Sequence, residues 1–421
     1  MTLGVRATTC VVACVLISVP VAAAAQYRTA DFDVYLGLLA RYEAGDYQGA
    51  ADAVVGLDVN TARTLARLVL DDVDREMVLL RRLKAASPNA PTGSSLNALR
   101  RERVRRLKLT LLVHTEAAIR VSEVDVKAFG RQLALAREAV ARLLRLEEDD
   151  RRINGPLKTS EDEPGIERSD EPPPSPEQRA ALGLPDREAI TLFIRDWYLV
   201  VASRLQLGGH LEFLKKHVRE GLELLRDDPE LLLARGAISE GEADTAVVDR
   251  SLAGEIYATD SVQRWRQFLS AAGGDYQAAT RRQPDLYEAT LRWGRINMHL
   301  GDLKAARRAL DEVAGSDAPA NLRYMAQLFL GDLAGRQQQV DRAREAYESA
   351  LALFPTAQAP MLALSLLCDS AADSDCARRW LSQSMAATGR GRLEPWWAYQ
   401  RGQAWLGDQR RVAFRARGLQ K

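Results

Sequence analysis

The sequence predicts an all-α fold built by repetition, and three observations carry that prediction. Apolar residues recur at spacings of three and four along almost the whole chain, whereas alternation of period two persists almost nowhere. In the second half, Ala- and Arg-rich phrases return with prolines in one register of about 34 residues. Hydrophobic residues make up 47% of the 421, which supplies a long continuous core and excludes wholesale disorder.

The chain opens with "MTLGVRATTCVVACVLISVPVAAAA", one Arg followed by an uncharged apolar stretch and alanines that satisfy the small-x-small rule at Ala23 and Ala25. Residues 1–25 are therefore expected to form a secretory signal peptide, cleaved before Gln26. The same stretch is about long enough to span a bilayer, so an N-terminal membrane anchor stands as the alternative. Removing the leader removes Cys10 and Cys14 and leaves Cys368 and Cys376 in a compartment where thiols oxidise, so these two are expected to be bonded. Arg far outnumbers Lys, as in GC-rich bacterial genomes. The mature chain is placed in the periplasm or outside a bacterial cell, with no stable membrane insertion once the signal is gone.

Residues 26–147 read as an N-terminal helical region. Leu38 to Leu57 gives two short helices around a Gly45-Asp46 turn, and longer helices follow at about Ala62 to Ala86 and Leu96 to Glu147. Within that region "LRRERVRRLK", Leu99 to Lys108, carries six basic residues against one acid. No aromatic residue interleaves them, so a solvated helix face is favoured over a polyanion site. Lys+Arg (58) and Asp+Glu (57) nearly cancel overall, which gives no net field for nucleic acid. Residues 148–185 are charged, Pro-rich and aperiodic, as a linker or long loop would be.

From residue 186 the register becomes specific. The unit beginning at Tyr324 places Gly331 at position 8, Ala343 at 20, Tyr347 at 24, Ala350 at 27 and Pro355 at 32. The unit from Tyr287 supplies Gly294, Gly301, Ala306 and Leu310, and the one from Gln358 supplies Leu364, Cys368, Ala377 and Leu381. An earlier unit from Arg195 contributes Tyr198, Ala202, Leu205, Gly209, Val218 and Gly221. Small residues at these places let two helices cross about 8 to 10 Å apart.

In this pattern residues 186–391 resemble a tetratricopeptide repeat (TPR) array of an exported bacterial type. The resemblance implies a helix-pair solenoid wound as a right-handed superhelix, with a concave face free to hold a ligand. One repeat departs from it. The unit from Pro229 finds its second helix only at Ala272, Tyr276 and Ala279, which implies an insertion of about 24 residues near 241–265. Residues 392–421 are expected to supply C-terminal capping helices. In the repeat register Cys368 and Cys376 fall at positions 11 and 19, on either side of the turn of one helix pair and within disulfide reach.

No catalytic signature is found: there is no G-x-S-x-G, H-E-x-x-H, C-x-x-C, P-loop or G-x-G-x-x-G. The four histidines, His114, His210, His217 and His299, are scattered, and no metal or cofactor is expected. His114, Thr115 and Glu116 interrupt an apolar helix, either as a polar network between helices or as the lining of a site. The resemblance turns positions 2, 5, 9, 12 and 13 of each first helix towards the groove. Those positions nominate Leu291, Arg295, Met298 and His299 from one repeat and Leu328, Asp332 and Arg336 from the next. The Lys and Asn clamp that grips acidic C-termini in co-chaperone repeats is absent. Trp396, Trp397, Tyr399 and Trp405 form a second candidate, as an aromatic docking site or as part of the cap.

The expectation is a non-catalytic protein-protein interaction scaffold of the bacterial envelope that binds a protein or peptide segment and no nucleic acid. Self-association is left open. The alternative is an envelope hydrolase, or an accessory of one, with its polar site around His114 and Glu116.

Overall fold

Aspartate caps and left-handed turns set the rhythm of the chain. The computed structural model describes residues 30–86, 93–122, 125–146, 175, 177, 186–252, 259–387, 394–400 and 407–420, and every regular element among them is an α-helix. The described residues fall into two compact units, one within 1–197 and 408–421, the other within 198–407. The expected signal peptide, the linker (save a few residues) and Trp405 lie outside the described residues.

The first unit begins with the pair α1 (Ala30–Glu43) and α2 (Tyr47–Gly56). Gly45 turns the chain with φ +95°, a conformation that costs a side-chain-bearing residue about 1 to 2 kcal/mol. Asp46 then caps α2 by accepting from the Gly49 amide at 2.9 Å, and α1 buries Phe32, Tyr35, Leu39 and Tyr42. The helices α3 (Val59–Ala86), α4 (Gly93–Val121) and α5 (Val126–Leu144) follow, with α4 in contact with α1, α2, α3 and α5.

The sequence reading runs helix from Leu96 to Glu147, yet the structure breaks it between α4 and α5. Local side-chain bonding explains the break. Ser122 Oγ donates to the Ile119 carbonyl at 2.8 Å, and Asp125 accepts from the Ala128 amide at 2.9 Å to start a new helix.

The basic run of α4 is also corrected. Arg100 and Arg103 are buried, and Arg103 meets Asp74 of α3 at 2.7 Å. Arg106 donates to the Val69 carbonyl and to Glu102, both at 2.8 Å, while Arg105 pairs with Glu43 of α1. Acids on α1 and α3 face much of this run, so Arg103, Arg105 and Arg106 fasten helices together while Arg101 stays exposed.

The second unit takes the later part of α6 (Arg187–Leu207), then α7 (Leu211–Leu224), α8 (Pro229–Leu252) and α9 (Thr259–Arg282). It continues with α10 (Tyr287–Leu300), α11 (Leu303–Gly315), α12 (Ala320–Arg336), α13 (Val340–Leu353), α14 (Gln358–Ser370) and α15 (Ser374–Ala386), and ends with the short α16 (Pro395–Gln400). The helices pair as α8 with α9, α10 with α11, α12 with α13 and α14 with α15. Each second helix rests on the first helix of the next pair, α9 on α10, α11 on α12 and α13 on α14. This is a helix-pair solenoid.

Its register is visible in the backbone. Gly209, Gly301, Gln338 and Ala372 occupy the same place in four turns, position 15, and all have φ between +59° and +92°. The crossings are close enough that a Cβ added at Gly331 would lie 2.3 Å from the Tyr347 ring, and one at Gly236 would lie 2.5 Å from the Tyr276 ring.

The described part of the insertion is helical. The helices α8 and α9 each run 24 residues, against 14 and 13 in α10 and α11, so residues on both sides of 253–258 extend the hairpin. Cys368 and Cys376 are joined across the α14–α15 turn, with Cα atoms 5.7 Å apart. Ser365, a departure from the small apolar pattern, is satisfied by donating to the Ala377 carbonyl at 2.9 Å.

The helix α17 (Gly407–Leu419) belongs to the first unit, where Phe414 is buried and stacks on Phe193 with centroids 5.0 Å apart. The short α16 lies against α12. Leu381 and Met385 of α15 are exposed.

Candidate functional site

Two buried polar clusters stand out, one in each unit. In the first, His114, Thr115 and Glu116 are fully or nearly buried on α4. His114 Nδ1 lies 2.7 Å from the Gln132 amide oxygen, and Nε2 lies 2.9 Å from the Tyr35 hydroxyl. With the amide oxygen accepting, Nδ1 carries the proton and Nε2 accepts from Tyr35. Burial pushes the imidazole down to about 4 against the Gln132 hydrogen bond, so it is neutral near pH 7 and fixes α1, α4 and α5 together.

Glu116 serves α17. It accepts from Arg411, and from Arg415 Nε at 2.8 Å. Burial acts to raise its carboxyl, but the two guanidinium groups outweigh burial and hold it below the ordinary range. Alongside, Arg417 meets Asp196 at 2.7 Å, and Lys108 donates to the Arg417 and Gln420 carbonyls at 3.4 and 3.3 Å. Both ring nitrogens of His114 and both oxygens of Glu116 are thus engaged in tying helices.

The second cluster lies on the first helices of the array. Glu240 of α8 is buried and accepts from Tyr276 at 2.6 Å, Arg292 at 3.0 Å and Arg295 at 2.5 Å. Arg292 also donates to Glu288 at 3.0 Å. Burial would raise the Glu240 carboxyl, but the Arg292 and Arg295 charges prevail and hold it below the ordinary range. At Glu288 burial prevails and the carboxyl is raised. The cluster therefore sets two guanidinium groups, Arg292 and Arg295, against two carboxyl groups, Glu240 and Glu288.

An aromatic ring completes the cluster. Tyr399 of α16 is 2% exposed, its hydroxyl 3.4 Å from Glu240 and its ring 4.3 Å from the Arg292 guanidinium and 5.3 Å from that of Arg295. The ring stands edge-on to Phe329 of α12 at 5.4 Å and stacks with Trp396 at 6.5 Å. Just before α16, Glu394 accepts from the Gln358 and Ala359 amides at 3.0 and 3.1 Å, at the open N-terminus of α14, and from the Tyr324 hydroxyl. Residues 394–400 thus lie across the first helices of successive repeats.

The nominated groove residues divide. Leu291, Met298 and Leu328 are buried, because neighbouring helices pack over those apolar positions, and no partner reaches them. Arg295 is drawn into the Glu240 cluster. Asp332 and Arg336 pair with each other at 3.1 Å and remain about half exposed. His299 sits edge-on to Trp265 at 6.2 Å, with burial and then the Arg295 and Arg336 charges lowering its pKa. Of the aromatic set, Tyr399 is buried, Trp396 is partly buried and Trp397 is exposed.

Glu240, Glu288, Arg292 and Glu394 escaped the sequence reading. Glu240 occupies position 12 of its repeat and was within reach of the register, but it sits on the helix that the insertion lengthens. Among the described residues no group of three His, Cys, Asp or Glu could hold a metal ion, and no described helix is long and apolar enough to cross a membrane.

No family model and no curated protein sequence matches the chain. Among solved structures it is similar to MamA (residues 41 to the end) from Desulfovibrio magneticus RS-1, at 18% identity and TM-score 0.34, over 46% of this chain and 94% of that one. PilF of Pseudomonas aeruginosa gives 14% identity and TM-score 0.39 over 53% of this chain and 90% of its own. The human IFIT1 dimer with m7Gppp-AAAA gives 9% and 0.34 over 83% and 80%.

Proposed function

We propose that this protein is a non-catalytic interaction scaffold that holds a segment of a partner protein on the first-helix face of its array. The observation that carries this reading is the character of that face. A stack of first helices carries a buried cluster of paired arginines and carboxyl groups under an aromatic ring, with the half-exposed Asp332–Arg336 pair on the same set of helices, and such a surface reads charge and aromatic rings together. The leader-like first 25 residues support a periplasmic or secreted place of work, with the partner met in the bacterial envelope.

The exposed pair provides the test. Purified protein is used to capture partners from an exported-protein fraction, beside the Asp332→Lys/Arg336→Glu variant. The charges are exchanged and the fold's buried residues are untouched. A specific protein retained by the parent and lost by the variant is the expected result; identical capture by both would refute the groove reading.

A further inference from the structure

The segment 394–400 touches the array in the manner of a bound ligand. Its contacts are few, directional and distributed. Glu394 fills the open amides of α14, Tyr399 lies against Glu240, Arg292 and Arg295, and Trp396 lies 6.2 Å from Phe329. The array side of every one of these contacts comes from a first helix, α8, α10, α12 or α14. A helix of six residues such as α16 has no stability of its own in water, where about 12 to 15 residues are needed even for good helix formers. Its conformation is therefore supplied by the surface it lies on.

The chemistry of that surface defines what it accepts. Two free helix amides take a carboxylate. A pair of guanidinium groups takes the face of an aromatic ring, and Glu240 takes a hydroxyl donor. The spacing between carboxylate and ring is fixed by residues 394 and 399. Resting on the scaffold reading above, we infer that the first-helix face is a receptor for a partner segment of the form Glu-x-Trp-x-x-Tyr, and that residues 394–400 are its resident occupant, which the partner displaces.

The probe is a fluorescently labelled synthetic peptide with the sequence of residues 393–400, LEPWWAYQ, titrated against the full-length chain. The Glu394→Ala/Trp396→Ala/Tyr399→Ala variant vacates the face and should bind the peptide at least about tenfold tighter than the parent does, about 1.4 kcal/mol. Adding Arg295→Ala should remove at least that gain. Equal binding by parent and triple variant, or none by a triple variant of unchanged helicity, overturns the inference.

Native-state hydrogen exchange on the parent covers the case in which the triple variant fails to fold. A displaceable occupant opens locally, so its amides should exchange well ahead of those of α12. Exchange of residues 394–400 only through global unfolding would show a permanent part of the core and overturn the inference. If the peptide fails while partner capture still depends on Asp332 and Arg336, the scaffold reading survives and only the ligand assignment falls.

Discussion

Gly331 offers the sharpest test of the repeat packing. Replacing a mid-helix Gly by Ala ordinarily gains about 1 kcal/mol in helix propensity. At Gly331 the new methyl would lie 2.3, 2.6 and 2.7 Å from three atoms of the Tyr347 ring, whereas carbon atoms rest about 3.5 to 4.0 Å apart. The ring must retreat by more than an ångström, and it is held in a buried crossing between α12 and α13. Such overpacking costs about 1 to 3 kcal/mol, and contact with three ring atoms places this site near the top of that range. Gly331→Ala should therefore destabilise by about 2 kcal/mol after the propensity gain. Gly335, one turn later in the same helix, has nothing within 4 Å of its virtual Cβ, so Gly335→Ala should stabilise. Removing the ring with Tyr347→Leu should abolish the overpacking at 331 and leave the propensity gain, giving a coupling of about 3 kcal/mol in a double-mutant cycle. Urea denaturation followed by circular dichroism, with hydrogen exchange to localise the loss, reads both effects. A stabilising Gly331→Ala, or no coupling to Tyr347, would refute the crossing.

Four further outcomes follow from the same geometry. Gln338 holds φ +59° where other turns use glycine, so Gln338→Gly should raise stability by about 1 kcal/mol, read as a higher urea midpoint. Glu116→Gln removes the charge that Arg411 and Arg415 share. A buried pair broken on one side costs about 3 to 5 kcal/mol, and the partial exposure of the two arginines puts this case nearer 2; α17 amides should exchange faster while those of α14 do not. His114 has a folded pKa of about 4 against an unfolded value of about 6.5, so the unfolded chain takes up its proton first as pH falls. Stability of the first unit should drop between pH 6.5 and 4 by on the order of 3 kcal/mol and level off below, and His114→Gln should flatten that slope. Reduction and alkylation of Cys368 and Cys376 should loosen the α14–α15 hairpin by about 2.5 kcal/mol on the loop-entropy account, seen as faster local exchange.

Much of the array was legible because its packing is periodic. Small residues such as Ala343 and Ala350 must recur wherever helices cross, so Gly331, Tyr347 and the α12–α13 pair could be placed from the register that the tetratricopeptide resemblance implies. The turn of α1 and α2 at Gly45-Asp46 was legible for a similar reason, since a left-handed residue followed by an aspartate cap is a local signal. Long-range electrostatics left no such trace. Glu240 and Arg292 are 52 residues apart, and a register assigns each a position without saying that one answers the other.

The same limit explains the basic run of α4 and the fate of the last helix. Arg103 looks solvent-directed until Asp74 is set opposite it, and nothing periodic in residues 407–419 shows that Glu116 will receive Arg411 and Arg415. Buried groove candidates such as Leu291 and Met298 failed for a further reason. A repeat position gives direction from the helix axis, and burial depends on what neighbouring helices bring to it.

The most direct test of the scaffold account is a photoreactive amino acid placed at Arg336, on the exposed part of the first-helix face, and in a second variant at Arg344, exposed on α13. After irradiation in the producing cells, a defined protein cross-linked from position 336 and absent from 344 is the predicted result. The same products from both positions, or none from 336, would contradict it.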